Sequence, residues 1–327
     1  MDNIQYVNNP GLHTIREGYA GTPARNGRFM NEDGQFGAGF SAVLKWMFTP
    51  NPYKAEKKRQ PYTLAVSEDH SIFKDGLDAF VWLGHSTFII RVNNKRILTD
   101  PICYDLPGIK RAFRSPFRTN EITPIDLILL SHSHRDHFDR RSFKEIVKRN
   151  PDVIVFCPLR MTPLIKREGA KNIHEAGWYQ QYPEHSQLPR ISFLPAKHWN
   201  RRYVHDTNRE LWGAFMIESD SRCMYFAGDT AYHSHFNDAA QLFPKITHAF
   251  MPIGAYKPAF MMRQSHVNPE EAIRGFDELG AQTFIPMHYG TYDLSDEPMQ
   301  EPLHTLTTRR YWGNRLLAPT PGQIMLL

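Results

Sequence analysis

Asp126-Leu127-Ile128-Leu129-Leu130-Ser131-His132-Ser133-His134-Arg135-Asp136-His137 is the stretch on which the reading of this chain turns. Asp126–Leu130 is an almost continuous apolar run, the pattern of a strand buried on both faces. Directly after it, three histidines and an aspartate crowd six positions. In an extended segment, residues two apart point the same way. His132 and His134 can therefore reach one metal ion side by side, and Asp136 and His137, from the following turn, can serve a second. Imidazole and carboxylate are ligands that zinc, iron and manganese accept. The competing reading is a solvated polar loop with incidental histidines. It does not explain why so many rings that are costly to bury gather at one strand end.

The motif alone supplies too few ligands for two ions, and candidates follow. His198 comes after the strand-like Ile191–Pro195, Asp229 after Met224–Gly228 in a Gly-Asp-Thr triplet, and His288 after Phe284–Met287. Each lies just past an apolar strand, where a sheet edge delivers side chains to a common crevice. Taken singly, each has an equally good structural explanation; beside the first motif, ligation becomes the better one.

In this order the segments resemble the metallo-β-lactamase superfamily, and within it the N-acyl-phosphatidylethanolamine-hydrolysing phospholipase D branch. The superfamily likeness is carried by Trp82–Thr87, Leu98–Pro101, Leu130–Asp139, Pro195–Trp199, Leu211–Gly213 and Phe226–Thr230. Pro252–Tyr256 and His266–Ala272 point to the branch. The likeness runs from about Asn26 to near Leu317. It implies an α+β fold, the αββα sandwich, with two divalent metal ions at the sheet edges. It implies zinc as the metal, with iron or manganese as alternatives. One ion would be held by His132, His134 and His198, and the other by Asp136, His137 and His288, with Asp229 bridging. It also implies a place near the substrate for His266, the expected proton donor to the leaving alcohol, and Asp136 is counted with it as catalytic. Arg135 stands where the animal enzymes of the branch carry an aromatic residue. Residues 1–25 and the short C-terminal Leu316–Gly322 depart from the pattern.

The expected activity is therefore phospholipase D-type cleavage of N-acyl-phosphatidylethanolamine or a related phospholipid. The alternatives are a metallo-hydrolase acting on a cyclic nucleotide, a nucleic acid or a lactone, a non-catalytic metal-bound lipid sensor, and a di-iron redox protein. Fold alone does not choose among these. His85 and Asp100 are candidates for groups that hold the ligands, because metal-bound histidines usually give their other N–H to an acceptor. Phe260, Met261 and Met262 are candidates for an acyl-chain wall, with core packing as the plain alternative. Lys54, Lys57, Lys58 and Arg59, and the helical spacing of Phe40, Leu44, Met47 and Phe48, suggest peripheral membrane contact. A solvated basic face and a helix packed on the body explain the same residues more simply.

The chain has 327 residues, 41% of them hydrophobic, 22% charged and 13% aromatic, which fits a globular protein with a sizeable core. Residues 1–75 are rich in Gly, Pro and Asn and read as an irregular extension packed on a domain spanning 76–327. In that domain strands are expected at 79–83, 87–92, 96–98 and 126–130, then near 153–157, 191–195, 211–217, 223–227, 247–252 and 283–286. One helix is expected at about 141–149. A second opens at Asn268, with Pro269 at its first position and Gly280 just past its end. The net charge of +5 is too small and dispersed to argue for nucleic acid. Cys103, Cys157 and Cys223 are odd in number and form no CxxC pair, so core packing is expected rather than a disulfide framework. No apolar secretory segment opens the sequence, so a cytoplasmic location is expected. A homo-oligomer is left open.

Overall fold

The structure, a computed structural model, describes residues 4–34, 45–46, 48–59 and 61–327. In chain order the strands are β1 (Gln5–Val7), β2 (Thr22–Arg25), β3 (Arg28–Phe29), β4 (Ala79–Gly84), β5 (Thr87–Val92), β6 (Lys95–Thr99), β7 (Leu127–Leu129), β8 (Ile154–Pro158), β9 (Asn172–Ala176), β10 (Gln180–Gln181), β11 (Arg190–Leu194), β12 (Ala214–Glu218), β13 (Cys223–Phe226), β14 (His248–Pro252), β15 (Thr283–Met287) and β16 (Ile324–Leu326). The helices are α1 (Lys54–Arg59), α2 (Arg140–Arg149), α3 (Thr162–Lys166), α4 (His235–Leu242), α5 (Ala259–Met262), α6 (Pro269–Glu278) and α7 (Glu301–Thr308).

Alternation along the strands builds the layers. In β4, Phe80 and Trp82 belong to one buried cluster, while Ala79, Val81 and Leu83 belong to a second. The same split places Leu127 and Leu129 in the first cluster and Ile128 and Leu130 in the second. Such a strand is buried on both faces, which is why its sequence is continuously apolar. The second cluster packs under α2 through Phe143, Ile146 and Val147. The first lies between two sheets. One has the order β16-β4-β5-β6-β7-β8-β9 and the other β10-β11-β12-β13-β14-β15. Phe250 of β14 meets Phe80 and Phe88 edge-on across the interface, at 5.6 and 5.0 Å between centroids. On the far face of the second sheet, Phe236 of α4 packs on Tyr225 and Phe276 of α6 on Phe284. Helix, sheet, sheet and helix layers follow, as the αββα expectation requires.

Local signals place the helices well. Asp139 caps α2 by accepting the Ser142 N–H at 2.8 Å. Asn268 and Glu271 form a reciprocal capping box on α6, Pro269 is its first residue, and Gly280 follows at φ +62°.

Three expectations change. Asp126 and Leu130 fall outside β7, and the Asp126 carboxylate instead accepts the Arg96 N–H and pairs with Lys95. The strand expected from Leu211 begins at Ala214. Leu211 donates to the Leu159 carbonyl and Gly213 to that of Ser131, so this stretch crosses to the other sheet. Residues 1–75 are not merely irregular: β1, β2 and β3 form an antiparallel sheet, and Ala24 and Phe29 enter the main core. Of the proposed helical stripe, Phe40, Leu44 and Met47 lie outside the described residues, and Phe48 is exposed. Cys103 and Cys157 pack in the second cluster, and Cys223 packs against the first. No helix among the described residues is long and apolar enough to cross a membrane.

Candidate metal centre

The C-terminal ends of six strands converge on one spot. His85 follows β4, Asp100 follows β6, His132 follows β7, His198 follows β11, Asp229 follows β13 and His288 follows β15. His85, Asp100 and His288 hold φ values of +53°, +35° and +58°, which non-glycine residues rarely adopt. Such strain persists only where the surroundings enforce it. Here the His85 carbonyl accepts both the Trp82 indole N–H and the His288 N–H.

Asp229 Oδ2 is the hub. It lies 3.1 Å from His137 Nε2, 3.2 Å from His288 Nε2, 3.8 Å from His198 Nε2 and 4.0 Å from His132 Nε2. His134 presents Nδ1, at 2.9 Å from His132 Nε2 and 3.2 Å from His198 Nε2. Asp136 Oδ2 lies 3.6 Å from Nε2 of both His137 and His288. Two four-residue ligand groups result, and Asp229, His266 and His288 form a third group of three. His132, His134, His198 and Asp229 offer atoms all within 4.8 Å of one another, and so do His85, Asp136, His137 and His288. All seven residues expected as ligands are brought together. His85, expected behind the ligands, stands among them, with Nε2 3.1 Å from Asp136 Oδ2.

The donor set fits metal ions. His137 Nε2, His288 Nε2 and Asp229 Oδ1 are buried without a hydrogen-bond partner among the described residues. Unpaired polar atoms of this kind are expensive unless an ion satisfies them. On His137 and His198 the opposite ring nitrogen is engaged. His137 Nδ1 gives its proton to Asp100 at 2.8 Å, and His198 Nδ1 to the Ser265 carbonyl at 2.9 Å. In the neutral form, Nε2 of His137 and of His198 then offers a lone pair inward. Asp100 is itself fully buried and accepts the N–H and hydroxyl of Ser131 at 2.7 and 2.6 Å.

Electrostatics point the same way. Burial opposes ionisation of Asp136 and Asp229, but the charge of His137 and the neighbouring His288 prevail and hold both well below the usual carboxylate range. Burial likewise opposes charge on His288, yet Asp229 and Asp136 push it up to about 9, and they raise His137 as well. His132 and His198, dominated by burial, are held well below the ordinary value. Buried Asp229 and partly buried Asp136 thus demand positive charge beside them. Protonated rings supply it in this arrangement, and divalent cations could supply it in their place.

His266 reaches the centre from the end of α5, with Nδ1 3.9 Å from Asp229 Oδ2 and its ring beside those of His198 and His288. Burial pushes it down to about 4. The three proposed acyl-chain residues have different surroundings. Met262 is buried, and its carbonyl accepts the His266 N–H. Phe260 is 38% exposed and lies under the Lys45 ammonium. Met261 is half-buried. Lys57 is engaged with the Ser295 carbonyl and Asp293, so it does not face freely outward.

Sequence reading missed several supporting groups. Ser265 orients His198, and Asn31 exchanges two hydrogen bonds with the His198 backbone from 167 positions away. Neither residue carries a local signal, since a hydroxyl-bearing or amide residue in a loop is common.

Residues 95–289 match the model of the β-lactamase superfamily domain. The chain is 28% identical over 300 residues to N-acyl-phosphatidylethanolamine-hydrolyzing phospholipase D 1 of Caenorhabditis elegans, covering 83% of each chain. It is 32% identical over 261 residues to the mitochondrial N-acyl-phosphatidylethanolamine-hydrolyzing phospholipase D of Saccharomyces cerevisiae. That match takes in 74% of this chain and 54% of the yeast protein, so the chain spans about half the yeast relative's length. Among solved structures it is similar to Igni18, a metallo hydrolase from Ignicoccus hospitalis, with a TM-score of 0.58, 18% identity and coverage of 77% of this chain and 99% of that one. It is also similar to an isothiocyanate hydrolase from Delia radicum gut bacteria, with a TM-score of 0.59, 17% identity and coverage of 76% and 98%. At such identities these structural likenesses carry the fold alone.

Proposed function

Because the chain belongs to the β-lactamase superfamily and is a metal-dependent hydrolase, we propose that it cleaves N-acyl-phosphatidylethanolamine, or a closely related phospholipid, in phospholipase D fashion at a pair of divalent ions. The observation that carries this is the convergence of five imidazoles and the Asp136 carboxylate around Asp229 Oδ2. Support for the substrate comes from the two relatives whose names specify that lipid. His132, His134 and His198 would hold one ion and Asp136, His137 and His288 the other, with Asp229 shared. A site so rich in imidazole suits zinc first and iron or manganese second.

When bound, such ions act as Lewis acids toward a phosphoryl group and make hydroxide available near neutral pH. The protein's own groups arrange the rest. Asp100 and the Ser265 carbonyl fix the rings of His137 and His198. In the reaction, water oxygen bonds to phosphorus and the bond from phosphorus to the ethanolamine oxygen breaks. Phosphatidate and N-acylethanolamine leave. His266, held neutral by burial, can give an N–H to the departing oxygen as charge develops there.

The test is metal analysis of the purified protein, followed by turnover on an N-acyl phospholipid and on a chromogenic phosphodiester. Release of N-acylethanolamine is the expected result. Cleavage of the chromogenic diester alone would overturn the lipid assignment, and absence of turnover in every metal form would overturn catalysis. In the same assay, His266→Ala should keep its metal content and lose roughly 100-fold in kcat, the usual scale for a lost donor to developing charge. Full turnover by that variant would remove its role.

A further inference from the structure

The turn that carries His134, Asp136 and His137 is clamped by one buried cation. Arg202 Nη1 donates to the carbonyl of Ser133 and to that of Phe138, each at 2.9 Å. These two carbonyls bracket the turn. The guanidinium also lies over the Phe138 ring at 5.1 Å from its centroid, and Arg202 is only 7% exposed. Its side chain makes no direct ion pair among the described residues, although Glu210 feels its charge and the Tyr203 side chain bonds to it. Burying a guanidinium with no carboxylate paired directly to it is costly. The cost rises beside a centre that collects further positive charge, so packing alone is a poor account of this residue.

We propose that Arg202 is a positioning residue that sets the span from Ser133 to Phe138, and with it the spacing between the two metal ions. This rests on the two-metal reading above. The clamp belongs to the same loop as His198. Asn200 Nδ2 donates to Ser133 Oγ at 2.9 Å, and the Ser133 hydroxyl donates to Glu210 at 2.9 Å. The Arg202 N–H is anchored on Asp206 at 3.1 Å. Ligand His198 and the turn bearing His134, Asp136 and His137 are thus fastened together as one body. Removing this shared donor would free the turn to open, which moves Asp136 and His137 away from the arm that carries His132. A lysine ammonium has donors for both carbonyls but ends short of the Nη1 position, so it would hold them less firmly.

The experiment loads the full-length wild type, Arg202→Met and Arg202→Lys with Mn2+. Binding is followed by titration and the electron paramagnetic resonance spectrum is recorded, with circular dichroism to establish folding. The wild type is expected to bind a pair of ions with an exchange-coupled spectrum. In R202M the second ion should bind about 10–100-fold more weakly, the usual loss for an outer group that supports metal ligands, and the coupling should vanish. R202K should fall between, and it carries the test if R202M does not fold. A merely structural arginine would change the melting temperature and leave the coupling intact, and that outcome overturns the proposal. A wild type that binds no ion pair would overturn the two-metal reading and the proposal with it.

Discussion

Replacing Asp229 with alanine should lower turnover by roughly 10^3-fold or more, beyond what one electrostatic contact supplies, and should leave at most one ion bound per chain. The reason is its position. Oδ2 stands between both ligand groups, 3.1 Å from His137 and 3.2 Å from His288 on one side, and 3.8 Å from His198 and 4.0 Å from His132 on the other. Among the described residues it is the carboxylate that lies against rings of both sets. Asp136 is the remaining carboxylate at the centre, and it faces only His85, His137 and His288. Without Asp229 the rings lose the charge that organises them, and burial should drive His137 and His288 back toward neutrality. Elemental analysis with a turnover assay checks the prediction. Retention of two ions at wild-type affinity would show that Asp229 bridges nothing.

The second large effect is steric. Gly254→Ala should destabilise the fold by about 3 kcal/mol, the scale of severe overpacking, and lower metal content at the same time. A Cβ at this position would stand 2.1 Å from the His288 carbonyl oxygen and 3.2 Å from the Tyr289 Cα. Both are backbone atoms, which cannot swing aside as a side chain can. The strained φ of +58° at His288 and its hydrogen bond to the His85 carbonyl leave that segment little room. Relief therefore displaces a ligand. Gly280→Ala makes a useful contrast: nothing lies within 4 Å, and its φ of +62° alone predicts a cost of about 1–2 kcal/mol with metal binding intact. Urea unfolding and metal analysis of both variants separate the two cases. Equal losses of stability with unchanged metal content in G254A would contradict the steric account.

Much of this was written locally. The apolar run before Ser131 and the spacing of His132, His134, Asp136 and His137 announce a strand end bearing ligands, because side-chain direction in an extended segment depends only on residue parity. The capping box at Asn268 and the glycine at 280 are equally local, since a helix end must satisfy its own N–H and carbonyl groups. That His198, Asp229 and His288 join the same centre could be guessed from their place after strands, but not measured there. Their distances to Asp229 Oδ2 depend on strand order, with β13, β14 and β15 parallel and adjacent.

Other features were decided only by the packed chain. His85 lies 3.1 Å from Asp136 Oδ2 because the tight turn between β4 and β5 carries it there, and nothing in Gly84-His85-Ser86 encodes that approach. Arg202 and Asn31 read as ordinary loop residues until folding brings their donors to particular carbonyls. Phe260 and Met262 read alike, as apolar residues before His266, yet one is exposed and the other buried. The sequence by itself determined which chemistry this protein carries, since ligand type and spacing are properties of neighbouring residues. The tertiary structure alone decided which atoms meet, because contacts between residues a hundred or more positions apart follow from how two sheets pack.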